Sequence, residues 1–343
     1  MPANPTPRQI LATLFQGAPP PRPLLLPIVF SLGAEIENVS RRDFLSNPTK
    51  ISNSLRQIRT HLRSDGVACY FDPFLELESL GATLEWHEGA QPPTIAWPHP
   101  AAKGTLPAGL RSPEGAAMHP RVKVAVEVLT RLKSLFRDEP LLMAGVTGPL
   151  TLAARLSQLD QSGPLQAEEL PAAALDIAAS AITAISSAFV AAGANVLFLQ
   201  EEILPALTTE TCQSWASLLA PTFNVIRFYE ALPVLQLPGN DSLAKNAAVI
   251  FEQPWDCVIC LPLAEFAHRA PDKTSAPTST HLGIALPPDL FQPNDASGEP
   301  FPESFARTIA ESKPVLLSTT ADVPITTDLK RLMKVMEEFS RTV

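Results

Sequence analysis

The chain has 343 residues, of which 45% are apolar and 18% charged, with a formal net charge of −9 and a pI near 5.2. A balance this acidic argues against nucleic-acid and anionic-membrane partners, and the apolar fraction suits a chain with a large core. The length is too great for one simple sandwich and fits a single barrel domain with insertions, spanning 1–343. No basic-plus-apolar leader opens the chain, and no charge-free apolar run reaches the about 18 residues of a bilayer span. Pro171 to Gly193 comes closest, but Asp176 and several Ser and Ala residues mark it as a packed helix. The expectation is a soluble, cytoplasmic protein.

In chain order, Pro7 to Gly17 reads as a short helix. The Pro-rich stretch Ala18 to Pro23 then feeds a buried strand, Leu24 to Ser31. Arg41 to Ser64 has apolar residues at helical spacing and is helical after Pro48. Val67 to Phe71 is a short, almost wholly apolar run, the pattern of a strand buried on both faces. It stops at Asp72. In a parallel barrel, a charged residue at the carboxyl end of a strand lies on the face where chemistry happens. Asp72 also precedes Pro73 and a helical turn carrying Glu76 and Glu78, which is an N-cap pattern. The two roles can coexist. Thr83 to Trp97 looks like a hairpin, and Pro98 to Pro120 is a Pro- and Gly-rich loop of a length that suits a cover for a barrel mouth.

Arg121 to Phe136 reads as a helix and Pro140 to Thr147 as a strand, closed by Gly148-Pro149. Helices follow from Leu150 to about Leu159 and from about Glu168 to Ala192. Asn195 to Gln200 is a strand ending in Gln200, Glu201 and Glu202. Thr208 to Leu232 is helical with a break near Pro221. Val234 to Leu237 is a strand leading into Pro238-Gly239-Asn240-Asp241. Beyond it come a helix (Leu243 to Phe251), a strand (Asp256 to Leu261), a polar loop (Ala264 to Ser279) and a strand (His281 to Leu286). Then follow a helix (Phe301 to Ser312), a last strand (Val315 to Ser318) and a last helix (Thr327 to Ser340). Repeated strand-helix alternation implies a parallel sheet, and eight repeats favour a closed (β/α)₈ TIM barrel over an open doubly wound sheet. No G-x-G-x-x-G follows the first strand and no Walker loop occurs, so nucleotide binding has no support.

The four cysteines, Cys69, Cys212, Cys257 and Cys260, are too few for a disulfide framework. Cys257 and Cys260 form a C-x-x-C, yet WDCVICLP reads as a core strand. Three residues apart on a strand, the thiols point to opposite faces, which disfavours metal or redox use.

Several stretches together resemble the uroporphyrinogen decarboxylase superfamily, which holds the decarboxylase of haem biosynthesis and corrinoid-linked methyltransferases. PRQILATLFQG…RPLLLP looks like its first helix and strand. FDPFLELESLGATLEW looks like its Asp-bearing second strand and the turn after it. MAGVTGPLTLAARL resembles its Gly-Pro-x-Thr-Leu turn, AGANVLFLQEE its Gly-Ala-Asp strand, and LLSTTADVPITTDLKRLMKVMEEF its closing strand and helix. The resemblance implies a (β/α)₈ barrel with a deep cleft at the carboxyl ends of the strands. It also makes Asp72 the match to the decarboxylase's catalytic Asp, and Arg155 falls where that enzyme has a Tyr.

The sequence departs from the family at its functional positions. The decarboxylase has an Arg-rich segment just after the first strand to bind substrate carboxylates. Here that place reads FSLGAEIENVSRRDF, with Arg41 and Arg42 arriving late. A tetrapyrrole with many carboxylates needs several bidentate cationic contacts. The zinc methyltransferases of the family carry His-x-Cys after the fifth strand and a Cys after the eighth. The matching residues are Gln236, Pro238 and Ala321, none of them a good zinc ligand.

Three functional readings follow. The preferred one is a methyltransferase-like enzyme acting on a methyl donor or corrinoid-linked substrate without the usual zinc. The second is decarboxylation of a porphyrinogen-type substrate, with Asp72 stabilising a protonated pyrrole-type intermediate. The third is a non-catalytic ligand-binding barrel. The candidate catalytic residue is Asp72. The candidate substrate-binding residues are Gln200, Glu201, Gln236, Asn240 and Arg155. No zinc and no tightly bound cofactor are expected, with a corrinoid as substrate or carried on a partner protein. Besides a small-molecule substrate, the candidate partners are a corrinoid protein and a second copy of the chain in a homodimer.

Overall fold

Apolar runs bounded by Gly and Pro make the strands, and capped amphipathic segments make the helices between them. The structure is a computed structural model and describes residues 5–87, 92–99, 101–137, 139–160, 164–239, 241–265, 281–287, 290, 307, 309 and 311–342. Helix α1 (Pro7–Phe15) starts at a capping box between Thr6 and Gln9 with Pro7 in its first position. Strand β1 (Leu24–Leu25) leads to short helices α2 (Leu32–Ile36) and α3 (Arg41–Leu45), then α4 (Pro48–His61), capped by Asn47. After β2 (Gly66–Tyr70) come α5 (Leu75–Ser79), the strands β3 (Thr83–Glu85) and β4 (Thr94–Ala96), and α6 (Pro120–Phe136). The sequence β5 (Leu141–Thr147), α7 (Pro149–Leu156), α8 (Ala172–Ala192), β6 (Val196–Gln200), α9 (Thr209–Phe228), β7 (Leu232–Gln236), α10 (Asp241–Phe251) and β8 (Val258–Pro262) follows. Strands β9 (His281–Leu286) and β10 (Leu316–Thr319) and helix α11 (Leu329–Thr342) complete it.

Eight of these strands pair in parallel in the order β1-β10-β9-β8-β7-β6-β5-β2. The two ends of that order meet through Asp65. Its N–H donates to the Leu25 carbonyl (2.9 Å), and its carboxylate accepts from the Leu25 N–H (2.8 Å) and from Arg22 (2.6 and 2.9 Å). A side chain thus carries the ladder across the gap that strand pairing leaves. The result is a near-closed TIM-type barrel with its helices outside. Strands β3 and β4 form a separate antiparallel ribbon, as the hairpin reading expects. Helix α8 is long and apolar enough to cross a membrane by length and composition, but it belongs to the barrel wall, packed against α7 and α9.

Two expectations about elements need correction. The first strand pairs only at Leu24 and Leu25, not as far as Ser31. Pro27 lacks a ladder donor. The Leu26 N–H still reaches Leu317 O, but the backbone beyond Pro27 is served by side chains: Ile28 N–H by the Thr319 hydroxyl, and the Phe30 and Ser31 N–H groups by Asp322. Helix α9 runs unbroken through Pro221, because Trp215, Leu219, Phe223 and Ile226 bury one face on both sides of it. Asn240 lies outside the described residues, as do most of the polar loop after β8 and most of the helix expected at 301–312.

Candidate functional site

The carboxyl end of β2 alternates its side chains in the way strand geometry dictates. Phe71 packs edge-on against Phe198 of β6 at 5.8 Å, and Tyr70 and Asp72 turn the other way. Asp72 is fully buried at its side chain and forms an ion pair with Arg121 of α6. The same guanidinium group donates to the Tyr70 hydroxyl (3.3 Å) and to Glu78 (2.7 Å). Tyr70 in turn donates to the Leu45 carbonyl at 3.0 Å. Asp72 also accepts weakly from the Phe74 N–H at 3.4 Å, but it does not cap the helix that follows: Phe74 stands at the N-cap of α5, with no side-chain cap bond. Arg121 is a residue that sequence reasoning missed. A signal was present, since a cation in the first turn of a helix opposes the macrodipole and implies an acid nearby.

Glu201 and Gln200 separate at the end of β6, as adjacent strand residues must. Glu201 turns out of the barrel to the N-terminus of α7. Its carboxylate accepts from the N–H groups of Leu150 (3.1 Å) and Thr151 (2.8 Å) and from the Thr151 hydroxyl (2.6 Å). That hydroxyl accepts from the N–H groups of Glu202 and Ile203 at 2.9 and 3.0 Å. A Cβ on Gly148 would lie 2.2–2.6 Å from the Glu201 carboxylate, which explains the glycine of the Gly-Pro-x-Thr turn. Burial pushes Glu201 up to about 7 against the pull of these donors. Glu76 is its counterpart across the turn. It is fully buried, accepts from the Thr147 N–H (3.1 Å) and hydroxyl (2.9 Å), and is likewise pushed up to about 7 by burial. Arg155 lies over the Phe74 ring, donates to the Pro73 carbonyl and pairs with Glu202.

Gln200 and Gln236 close the neighbouring strands β6 and β7 at one register position. The Gln200 side-chain amide donates to Gln236 Oε1 at 3.1 Å, and Gln236 Nε2 donates to the Thr319 backbone carbonyl at 2.7 Å. Thr319 ends β10, three strands away from β7 in the sheet order, so Gln236 reaches across the barrel interior. A carbonyl can only accept, which fixes the orientation of both amides. Reversing them would set oxygen against oxygen and leave buried groups unpaired, at about 1–3 kcal/mol for each.

The structure therefore brings Gln200 and Gln236 together, joins Asp72 to Arg121, and commits Glu201 and Arg155 to the turns around α7. Zinc does not fit the places where the resemblance puts its ligands. Both polar atoms of the Gln236 amide are engaged, and Pro238 and Ala321 offer no side-chain donor. All four cysteines are free and buried, and burial pushes each thiol up. Among the described residues no group of three His, Cys, Asp or Glu side chains is arranged to hold a metal ion.

A near-closed parallel barrel with polar residues gathered at the carboxyl ends of its strands is the architecture of the TIM-barrel class of folds. Within it the chain belongs to the uroporphyrinogen decarboxylase (URO-D) family, whose model matches residues 6–222, more than half of the chain. Among solved structures, a methyltransferase from Methanosarcina mazei is similar at 16% identity and a TM-score of 0.73, covering 98% of this chain and 100% of that one. A putative vitamin-B12 independent methionine synthase from Listeria monocytogenes is similar at 14% identity and a TM-score of 0.50, with 94% and 97% covered. A B12-independent methionine synthase from Shewanella sp. W3-18-1 is similar at 11% identity and a TM-score of 0.52, with 93% and 96% covered. At these identities the likeness is one of fold. No curated protein matches the chain.

Proposed function

We propose that this chain is a methyltransferase-like enzyme that acts on a methyl donor or a corrinoid-linked substrate without a zinc centre. The observation that carries the reading is the full-length likeness of its barrel to that of the Methanosarcina mazei methyltransferase. The amide relay of Gln200 and Gln236 stands where the zinc-dependent branch of the family would hold a ligand. It supports substrate positioning by hydrogen bonds in place of thiolate activation by a metal. The methyl group would arrive on a free corrinoid or on one carried by a partner protein.

The test is to mix the purified protein with methylcobalamin and a small thiol and to follow the visible spectrum of the corrinoid. Demethylation that survives prior chelation, in protein that elemental analysis finds free of stoichiometric zinc, is the expected outcome. A spectrum unchanged over no-enzyme controls overturns the reading, as does activity that chelation abolishes and zinc restores. The decarboxylase reading rests on Asp72 at the end of β2. Its carboxylate is already neutralised by Arg121, which weakens it as the stabiliser of a cationic pyrrole. Release of less carboxylated porphyrinogens from a uroporphyrinogen-type substrate would favour that reading instead.

A further inference from the structure

Charge is spread unevenly round the barrel. Residues 48–64 hold four Lys and Arg and no Asp or Glu, and residues 120–137 hold five with Glu127 as the one acid. Residues 139–265, by contrast, hold thirteen Asp and Glu against three Lys and Arg. The two cationic segments are α4 and α6, which the fold sets side by side: both pack on β2, and Arg131 of α6 donates to the Thr49 hydroxyl at 2.8 Å. Their outer surfaces expose Arg56, Arg63, Lys123, Arg131, Lys133 and Arg137. Of these six, among the described residues, only Arg131 has a carboxylate within ion-pair distance, that of Glu127. Leu135 stands between Lys133 and Arg137 and is 50% exposed. Helix electrostatics accounts for part of the pattern, since Arg59 and Lys133 lie in last turns, where the macrodipole favours cations. Lys50 and Lys123 lie near the N-termini of the same helices, where it opposes them.

We propose that the α4–α6 face docks an acidic partner protein. Crowded guanidinium and ammonium groups without acids of their own repel one another, and a surface of carboxylates laid over them relieves that repulsion and fixes register. A net charge of −9 repels an extended polyanion or an anionic bilayer at long range, whereas a compact acidic patch meets only the cationic face. Arginines around an exposed leucine are also the composition of a protein interface. A second copy of the chain fits less well. Its acidic stretch reaches β7 and β8, which stand opposite the β1–β2 seam in the sheet order. Joining two different faces in this way is a head-to-tail contact, which no two-fold axis closes. Helices α4 and α6 lead down to the starts of β2 and β5, so the face lies on the barrel wall and leaves the carboxyl ends of the strands free. The partner would sit beside the mouth and not over it.

The inference does not depend on the proposed function and is tested by binding alone. The probe is fluorescein-labelled poly-L-glutamate, titrated with the full chain at low salt and followed by fluorescence anisotropy. The wild type is expected to bind it, and added salt to weaken the complex. Arg56→Glu combined with Arg63→Glu should weaken binding at least about tenfold. Lys103→Glu combined with Lys330→Glu makes the same change in net charge at exposed cations off this face and should leave binding within about twofold of wild type. All four side chains are exposed, so the variants should fold as the wild type does. No binding by the wild type overturns the inference, as does equal binding by the two double variants. Duplex DNA or phosphatidylserine vesicles bound more tightly than poly-L-glutamate, and lost in the Arg56→Glu, Arg63→Glu variant, would assign the face to a nucleic acid or a membrane and overturn it. Sedimentation that shows the wild type alone forming chains, and the same variant not, would assign the face to a second copy and overturn it as well.

Discussion

Asp72 is bound to a cation that is itself nine-tenths buried, so substituting it tests structure as well as chemistry. Asp72→Asn keeps an oxygen to accept from the Phe74 N–H but leaves Arg121 with Glu78 as its remaining acidic partner. Breaking a buried pair from one side costs about 3–5 kcal/mol, so the thermal midpoint should fall clearly before any assay is run. Pairing it with Arg121→Met separates the effects. The double variant should be less destabilised than the sum of the singles when unfolding is followed in urea, and additive losses would show that the two groups do not act as a pair. Gly148 is a simpler case. A methyl group there meets the Glu201 carboxylate inside van der Waals contact. Gly148→Ala should therefore cost about 1–3 kcal/mol, as overpacked cores do, and an unchanged urea midpoint would refute the close approach of Glu201 to this turn.

At the scale of elements, α9 offers a prediction of the opposite sign. Pro221 sits in its interior with its ring exposed, and a proline there forgoes a backbone hydrogen bond. Pro221→Ala regains that bond and loses no packing. The gain is offset in part by the entropy that proline removes from the unfolded chain. A net rise of about 1–3 kcal/mol is expected in urea unfolding, and a lower midpoint would mean the helix relies on a local bend. The same helix marks the boundary of what sequence can convey. Strand-helix alternation was legible because each element carries its own period, and the barrel follows from the alternation. The break expected at Pro221 was wrong because the buried stripe of Trp215, Leu219, Phe223 and Ile226 outweighs a local preference. The site was legible at strand ends, where Asp72, Gln200, Glu201 and Gln236 stand out as polar residues closing apolar runs. Their partners were not. Arg121 is 49 residues from Asp72 and Thr319 is 83 from Gln236, and no local pattern encodes such pairs.

Over the whole molecule, the buried acids set a pH dependence contrary to ordinary acid unfolding. Burial holds Glu76 and Glu201 up near 7 and Asp322 up near 6 in the folded state. Each faces donors that favour its ionised form: Thr147 and Arg155 at Glu76, Thr151 and Leu150 at Glu201, and Ser31, Phe30 and Arg41 at Asp322. Desolvation outweighs them at all three. Below the carboxyl groups' ordinary range both folded and unfolded chains hold these protons, and the stabilisation is complete. As pH rises, the unfolded chain loses its protons first, and the folded chain must later ionise buried groups, so stability declines up to about pH 7. A carboxyl group whose pKa stands one higher in the folded chain than in the unfolded one forfeits about 1.4 kcal/mol over that rise. His119 and His281 are half-buried and shifted downward by burial, so they act in the other direction below their ordinary range. Two carboxyl groups held near neutrality should prevail, so the thermal midpoint should climb as the pH is lowered from about 8 to about 6. Glu76→Gln removes one titrating group while keeping an acceptor for Thr147, and should flatten the climb. A midpoint that rises steadily with pH across this range, or a slope untouched by Glu76→Gln, would mean that these carboxylates are ionised in the folded barrel and that their donors outweigh burial.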